Sequence, residues 1–137
     1  MINPSLSPLE DDALVDAFND GRVTKETFRH PEHIRLAFAY LSRYPDLAEA
    51  ALRFRSDFRR FTRAQGVDHI YNETLTWAYL LLIRRRMLEQ PGGDSLGFVE
   101  RNPDLCDHRG GLITRYYDVE QVKRSALAKE LFLLPDR

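Results

Sequence analysis

The stretch Leu75-Thr76-Trp77-Ala78-Tyr79-Leu80-Leu81-Leu82-Ile83 is apolar at every position but Thr76. Rolled into a helix it is greasy on nearly all sides, and such a helix is stable only when other elements cover it. It is about half the length needed to span a bilayer. The chain must therefore wrap further helices around a segment running from about Asp68 to Gln90. Arg84, Arg85 and Arg86 sit toward its C-terminal end, where the helix dipole favours positive charge.

The covering elements announce themselves by period and by punctuation. Ser7-Pro8-Leu9-Glu10 has the form of a capping box with Pro at the first helical position, opening a helix with Leu9, Ala13, Leu14, Ala17 and Phe18 on one face. Gly21 ends it, and Thr24 to Arg29 is a connector. A second helix starts at His30-Pro31, with His30 as cap, Pro31 at the first position and His33 at the third; Ile34, Ala37, Phe38 and Leu41 form its buried stripe. Pro45-Asp46 stops it and starts a third, with Leu47, Ala51, Phe54, Phe58 and Phe61 inward, Arg53, Arg55, Arg59, Arg60 and Arg63 on other faces, and Gly66 at its close. Pro91-Gly92-Gly93-Asp94 breaks the chain after the apolar fourth helix. Beyond it, Ser95 to Arg101 and Asp104 to Tyr117 read as short helices split by Asn102-Pro103 and Gly110-Gly111. Asp118 with Gln121 opens a helix to about Glu130, and Leu131 to Pro135 reads as an extended tail. No segment alternates with period two. The expected fold is all-α, one compact domain over 1–137 built as a bundle of about five helices around the apolar helix at about 68–90. Residues 1–24 form its N-terminal helix and connector, 25–90 its motif-bearing helices, and 91–137 its short helices and tail.

Charge and cysteine usage exclude several classes. Net charge is −1, so no global field draws the chain to nucleic acid or to a membrane surface. The five arginines of the third helix accordingly read as a solvated face balanced by acids elsewhere. Cys106 stands alone, which rules out an internal disulfide and a cysteine-based zinc site. Met1 to Asp12 lacks a basic-then-apolar leader pattern. A cytoplasmic protein with a small-molecule ligand is expected; membrane and nucleic acid are not the expected partners. Oligomeric state, a homo-oligomer included, stays open.

Two short motifs hold the chemistry. His30 and His33 stand three residues apart at a helix start, on neighbouring positions of one surface, where both rings can turn to one point. A helix N-terminus favours the neutral, ligating imidazole. Glu73 enters the apolar helix with Trp77 and Leu80 on its face and His69 one turn before; Tyr71, Thr74 and Thr76 add hydroxyls. A carboxylate there is partly desolvated, which raises its pKa unless a cation or donor compensates. His30, His33 and Glu73, with His69 as a further candidate, would make a two-His-one-carboxylate set suited to one divalent metal, zinc with an open position or ferrous iron. Without metal the same three would act as acid–base groups, with Tyr71, Asn72, Thr76 and Trp77 binding the ligand. A structural role for all three, with the histidines satisfying a helix start and Glu73 capping its own helix, is the third alternative. The expected function is a small-molecule enzyme with a His/Glu site, metal-assisted or not, its reaction unassigned. The alternative is a non-catalytic module for a small ligand or a protein partner. Cys106 reads as inert, because Asp104 and Asp107 raise a thiol pKa, and Tyr116-Tyr117 read as core.

These motifs carry a resemblance. Phe28 to Ala37 matches F-x-H-x-x-H-[IL]-R-x-A, Tyr71 to Thr76 matches Y-H-E-T-[IL]-T apart from Asn72 in place of the histidine, and Tyr116-Tyr117-Asp118, Ser125-Ala126 and Leu131 to Asp136 follow a third pattern. Over roughly residues 25 to 137 the chain resembles an uncharacterised family of small bacterial helical proteins. The resemblance implies a shared helical pocket and supplies no reaction. With Asn72 the chain lacks one imidazole there, and a neutral amide is a poor ligand for zinc or iron.

Overall fold

Most helix starts in the computed structural model, which describes residue 6 and residues 9–137, are set by a side chain that takes up a free backbone N–H. Seven α-helices occur among the described residues: α1 (Asp11–Asn19), α2 (His30–Arg43), α3 (Leu47–Ala64), α4 (Glu73–Glu89), α5 (Ser95–Arg101), α6 (Val119–Arg124) and α7 (Ala126–Glu130). Asp46, Asn72, Asp94, Asp118 and Ser125 cap α3 to α7 in turn. Each such cap contributes about 1 kcal/mol. No strand occurs among the described residues, so the all-α bundle expected from the sequence stands.

Several boundaries move, each for a local reason. Ser7 and Pro8 lie outside the described residues; Leu9 and Glu10 precede α1 rather than belonging to it. α2 begins one residue earlier than expected. Its first internal bond runs from the His33 N–H to the Arg29 carbonyl, and the Glu32 carboxylate reaches back to the Arg29 N–H at 3.4 Å. Arg29 is therefore the cap, and His33 is the fourth helical residue. The segment expected as one helix over 68–90 is a 3-10 turn, Asp68–Ile70, followed by α4, because Asn72 is extended and accepts the Leu75 N–H at 3.0 Å. Residues 104–117 form a loop with one 3-10 turn, Leu112–Arg115. There Asp107 takes up the N–H groups of Arg109 and Gly110, and a Cβ on Gly111 would collide with the carbonyl oxygens of Asp104 and Asp107. The last expected helix is two, because Ser125 is extended and caps Ala128 at 3.1 Å. Serine prefers such a cap to a helix interior.

The centre of the bundle is shared between α2 and α4. Every residue of α2 from Ile34 to Leu41 is buried. It packs on α1, α3, α4 and α5, while α4 packs on α2, α3 and α7. α4 leaves Leu81 41% exposed and Leu88 67% exposed, so one of its sides faces outward despite its composition. The C-terminal tail closes over α4. The Thr74 hydroxyl donates to the Leu131 carbonyl at 2.6 Å, the Leu133 N–H returns to the Thr74 oxygen at 3.0 Å, and the Tyr117 hydroxyl donates to the Leu133 carbonyl. Tyr117 is thus core with a satisfied polar tip.

The arginines of α3 are balanced locally. Arg53 pairs with Glu49, Arg55 with Glu73, Arg60 with Asp57, and Arg59 and Arg63 lie within 4.0 Å of Asp68. No helix among the described residues is long and apolar enough to cross a membrane.

Arg35 anchors the frame around α2. It is 3% exposed, and its guanidinium donates to the carbonyls of Leu6 and Leu9 and to the Ser95 hydroxyl at 2.9, 2.6 and 2.9 Å. Ser95 in turn donates its N–H and its hydroxyl to Asp11. One side chain thereby ties the N-terminal segment and α5 to α2. Removing it takes the donor from the Leu6 and Leu9 carbonyls. Arg35→Met is expected to cost about 3 kcal/mol in urea denaturation; a loss below about 1 kcal/mol would show that the network carries little of the stability.

Candidate functional site

A cavity of about 260 Å³ opens where the starts of α2 and α4 face each other. Four helices line it by stripes at helical spacing: His30, His33, Ile34 and Ala37 from α2, Phe54 and Phe58 from α3, Leu75, Thr76, Tyr79, Leu80 and Ile83 from α4, and Val119 and Lys123 from α6. Ile70, Tyr71, Asn72 and His108 complete the wall from the loops. Ile34, Ala37, Phe54, Leu80 and Ile83 are all buried and form an apolar interior, whereas Lys123 and Ile70 are exposed and mark the mouth.

Three imidazoles stand along one side. The ring centres of His30 and His33 are 6.2 Å apart, those of His30 and His108 5.2 Å, and the Tyr79 ring sits edge-on to His30 at 5.1 Å. His33 is slotted between aromatics, stacked on Phe28 at 4.0 Å and edge-on to Phe58 at 5.3 Å. His30 Nε2 lies 3.1 Å from the Leu105 carbonyl oxygen. A carbonyl only accepts, so Nε2 carries the proton and the neutral ring keeps its lone pair on Nδ1.

Burial makes these rings neutral. Desolvation pushes the His33 pKa down to about 3, with His30 adding to the effect and the Phe28 carbonyl opposing it. Desolvation likewise lowers His30 against the Leu105 carbonyl, and lowers His108 with help from the charge of Lys123. The helix start was expected to favour the neutral form; loss of water is the larger cause. Tyr79 is held as a phenol by desolvation, and its hydroxyl is buried with no hydrogen-bond partner among the described residues. A buried donor left open costs of order 1–3 kcal/mol unless something satisfies it.

The sequence-derived set divides. His30, His33, Tyr71, Asn72 and Thr76 line the cavity. Glu73, Trp77 and His69 do not. Glu73 is 13% exposed and points its carboxylate into a network of its own: Arg55 Nε donates to both oxygens at 2.8 Å, the Tyr71 hydroxyl to Oε1 at 2.6 Å, and the Trp77 indole N–H to Oε2 at 3.4 Å. Desolvation raises its pKa, but the bonds from Tyr71 and Arg55 together outweigh that and hold it below the ordinary glutamate value. Glu73 is thus a satisfied carboxylate behind the wall, neither a ligand beside His30 and His33 nor a free base. His69 belongs to the exposed 3-10 turn rather than to the face of α4. Asn72 and Thr76 reach the cavity but spend their hydrogen bonds on the backbone. Asn72 caps α4 and donates to the Val122 carbonyl at 2.9 Å, and Thr76 donates to the Asn72 carbonyl. The two-His-one-carboxylate metal set is therefore not assembled, and among the described residues no three His, Cys, Asp or Glu side chains gather to hold a metal ion. The Cys106 thiol is pushed up by burial and by Asp104 and Glu32, as expected of an inert cysteine.

Tyr79, His108 and Lys123 were not singled out from the sequence. The first had a signal: positions 72, 75, 76, 79, 80 and 83 form one helical stripe, one residue away from the 73, 77, 80 face taken for the site. His108 and Lys123 come from segments whose path no local pattern reveals. No model of a known protein family, no curated protein and no solved structure matches the chain.

The buried imidazole makes stability depend on pH. An unfolded histidine binds a proton below about pH 6.5, while folded His33 refuses it until about pH 3. The unfolded state then holds more protons, so stability falls as pH drops through that window. His33→Phe is expected to flatten the decline between pH 6.5 and 4 in denaturant titrations; an unchanged slope would mean that His33 protonates freely in the fold.

Proposed function

We propose that this protein binds a small, largely apolar organic molecule in the cavity between α2, α3, α4 and α6. One observation carries this: a cavity of about 260 Å³ with an apolar interior and a polar side of neutral rings. Ligand sites are mostly apolar with a few polar groups that fix orientation. The size lies just below the roughly 300–1,000 Å³ typical of such pockets, which suits a ligand of about ten non-hydrogen atoms at the roughly 30 Å³ each takes in a liquid. The polar side, with His30 and His108, is the natural partner for the ligand's polar end.

The motifs behind the family resemblance support the same purpose. In the first, His30, His33, Ile34 and Ala37 line the cavity, Phe28 packs on His33, and Arg35 fixes α2. In the second, Tyr71, Asn72, Leu75 and Thr76 line it, while Thr74 holds the tail that carries the third. Membership in that family and a cytoplasmic location belong to the same proposal.

Catalysis is the second reading, favoured by the fixed His30 ring. A base oriented by a third group, with its other nitrogen free, is the arrangement that general acid–base chemistry uses. His30 with the Leu105 carbonyl has that form, and Tyr79 would be the neighbouring acid.

Benzyl alcohol, a neutral probe of suitable size, tests the pocket. Its titration into methyl-labelled protein is expected to shift the NMR signals of Ile34, Leu80, Ile83 and Val119 together, leaving Leu88 and Leu134 in place. Shifts confined to exposed leucines, or none, would refute the pocket.

A further inference from the structure

We infer that the ligand is an organic acid, a single carboxylate on an apolar body of about ten non-hydrogen atoms, whose carboxylate is held at the mouth by Lys123 and His108. This rests on the binding cavity proposed above and adds the sign and place of the charge.

The charge pattern of the wall carries the inference. Lys123 is the one formally charged side chain lining the cavity among the described residues, and no Asp or Glu lines it. Nearly every other cation near the site is already matched: Arg55 with Glu73, Arg59 and Arg63 with Asp68, Arg86 with Asp104. Lys123 enters none of the ion pairs found among the described residues. An exposed lysine at the mouth of an apolar cavity whose wall holds no acid is available to a ligand.

The neighbouring donor fits a carboxylate. His108 stands 5.2 Å from His30, whose own Nε2–H is committed to Leu105, so His108 rather than His30 has an N–H free to give. A carboxylate accepts several such bonds, and those to a charged partner are the stronger ones. The apolar interior of Ile34, Phe54, Leu80 and Ile83 would then take the body of the molecule. Asp107 and Glu120 lie near His108 but outside the wall, so a cationic ligand would meet Lys123 with no acid lining the cavity to hold it, and an uncharged one would leave the lysine idle. One cation matches one carboxylate better than the multiple charge of a phosphate ester.

Octanoate and 1-octanol separate the possibilities, since they share an apolar chain and differ in charge. By isothermal titration at pH 7.5, octanoate is expected to bind the wild type at least about tenfold more tightly than 1-octanol. Lys123→Met keeps the aliphatic stem at an exposed position and should remove that preference while leaving 1-octanol affinity within about twofold. Equal binding of the two by the wild type, with shifts at Leu80 and Ile83, would overturn the acid and leave the cavity standing. A preference that survives in Lys123→Met would overturn the placement of the carboxylate. Binding of neither would overturn both this inference and the pocket beneath it.

Discussion

The hydrogen bond from the His30 ring to the Leu105 carbonyl, 3.1 Å long, joins the first residue of α2 to a loop seventy-five residues away in the chain. The cavity depends on that junction. Leu105 is fully buried, and its loop is pinned from the other side by Arg86, which donates to Asn102 at 2.7 Å and to Asp104 at 2.7 Å. With the loop fixed, His108 stands beside His30 and the imidazole side of the cavity is complete. The same bond assigns the proton of His30 to Nε2, so packing and chemistry are set by one contact.

A second constraint is the cost of charge in a dry place. His30 and His33 face an apolar chamber, where an imidazolium loses more hydration than the Leu105 and Phe28 carbonyls replace. The fold answers by keeping them neutral and by pairing Arg55, Arg59, Arg63 and Arg86 outside the cavity wall. Glu73 shows the rule from the other side. It sits at the start of α4 close to the cavity, yet Arg55, Tyr71 and Trp77 occupy its oxygens and keep it ionised behind the wall. Tyr71 serves both regions, with its ring in the cavity lining and its hydroxyl on Glu73.

Much of this was legible in the sequence. The helical class, the caps at Asp46 and Asp118, the stop at Gly66 and the span of α5 all follow from local rules, because capping and apolar period act within a few residues. The pairing of the α2 and α4 starts was also legible, since both carry polar residues at the edge of apolar stripes. The partner of Glu73 was not. Arg55 lies eighteen residues away on another helix, and five arginines on one helix give no hint which of them turns inward. Nor could the sequence distinguish the 72, 76, 79, 83 stripe of α4 from the 73, 77, 80 face, because the helix is apolar on nearly all sides and its period is flat. His108 and Lys123 reach the cavity through a glycine-bearing loop and a short helix whose paths depend on tertiary contacts.

His30 stands in the cavity wall as a neutral imidazole with its proton on Nε2. Long-range proton–nitrogen NMR on ring-labelled protein measures this directly, with the His30 signal assigned by its loss in His30→Gln. At pH 7 one protonated nitrogen, Nε2, and one bare nitrogen, Nδ1, are expected. An imidazolium at that pH, or a proton on Nδ1, would contradict that assignment, because the ring would then be neither neutral nor tied to the Leu105 carbonyl.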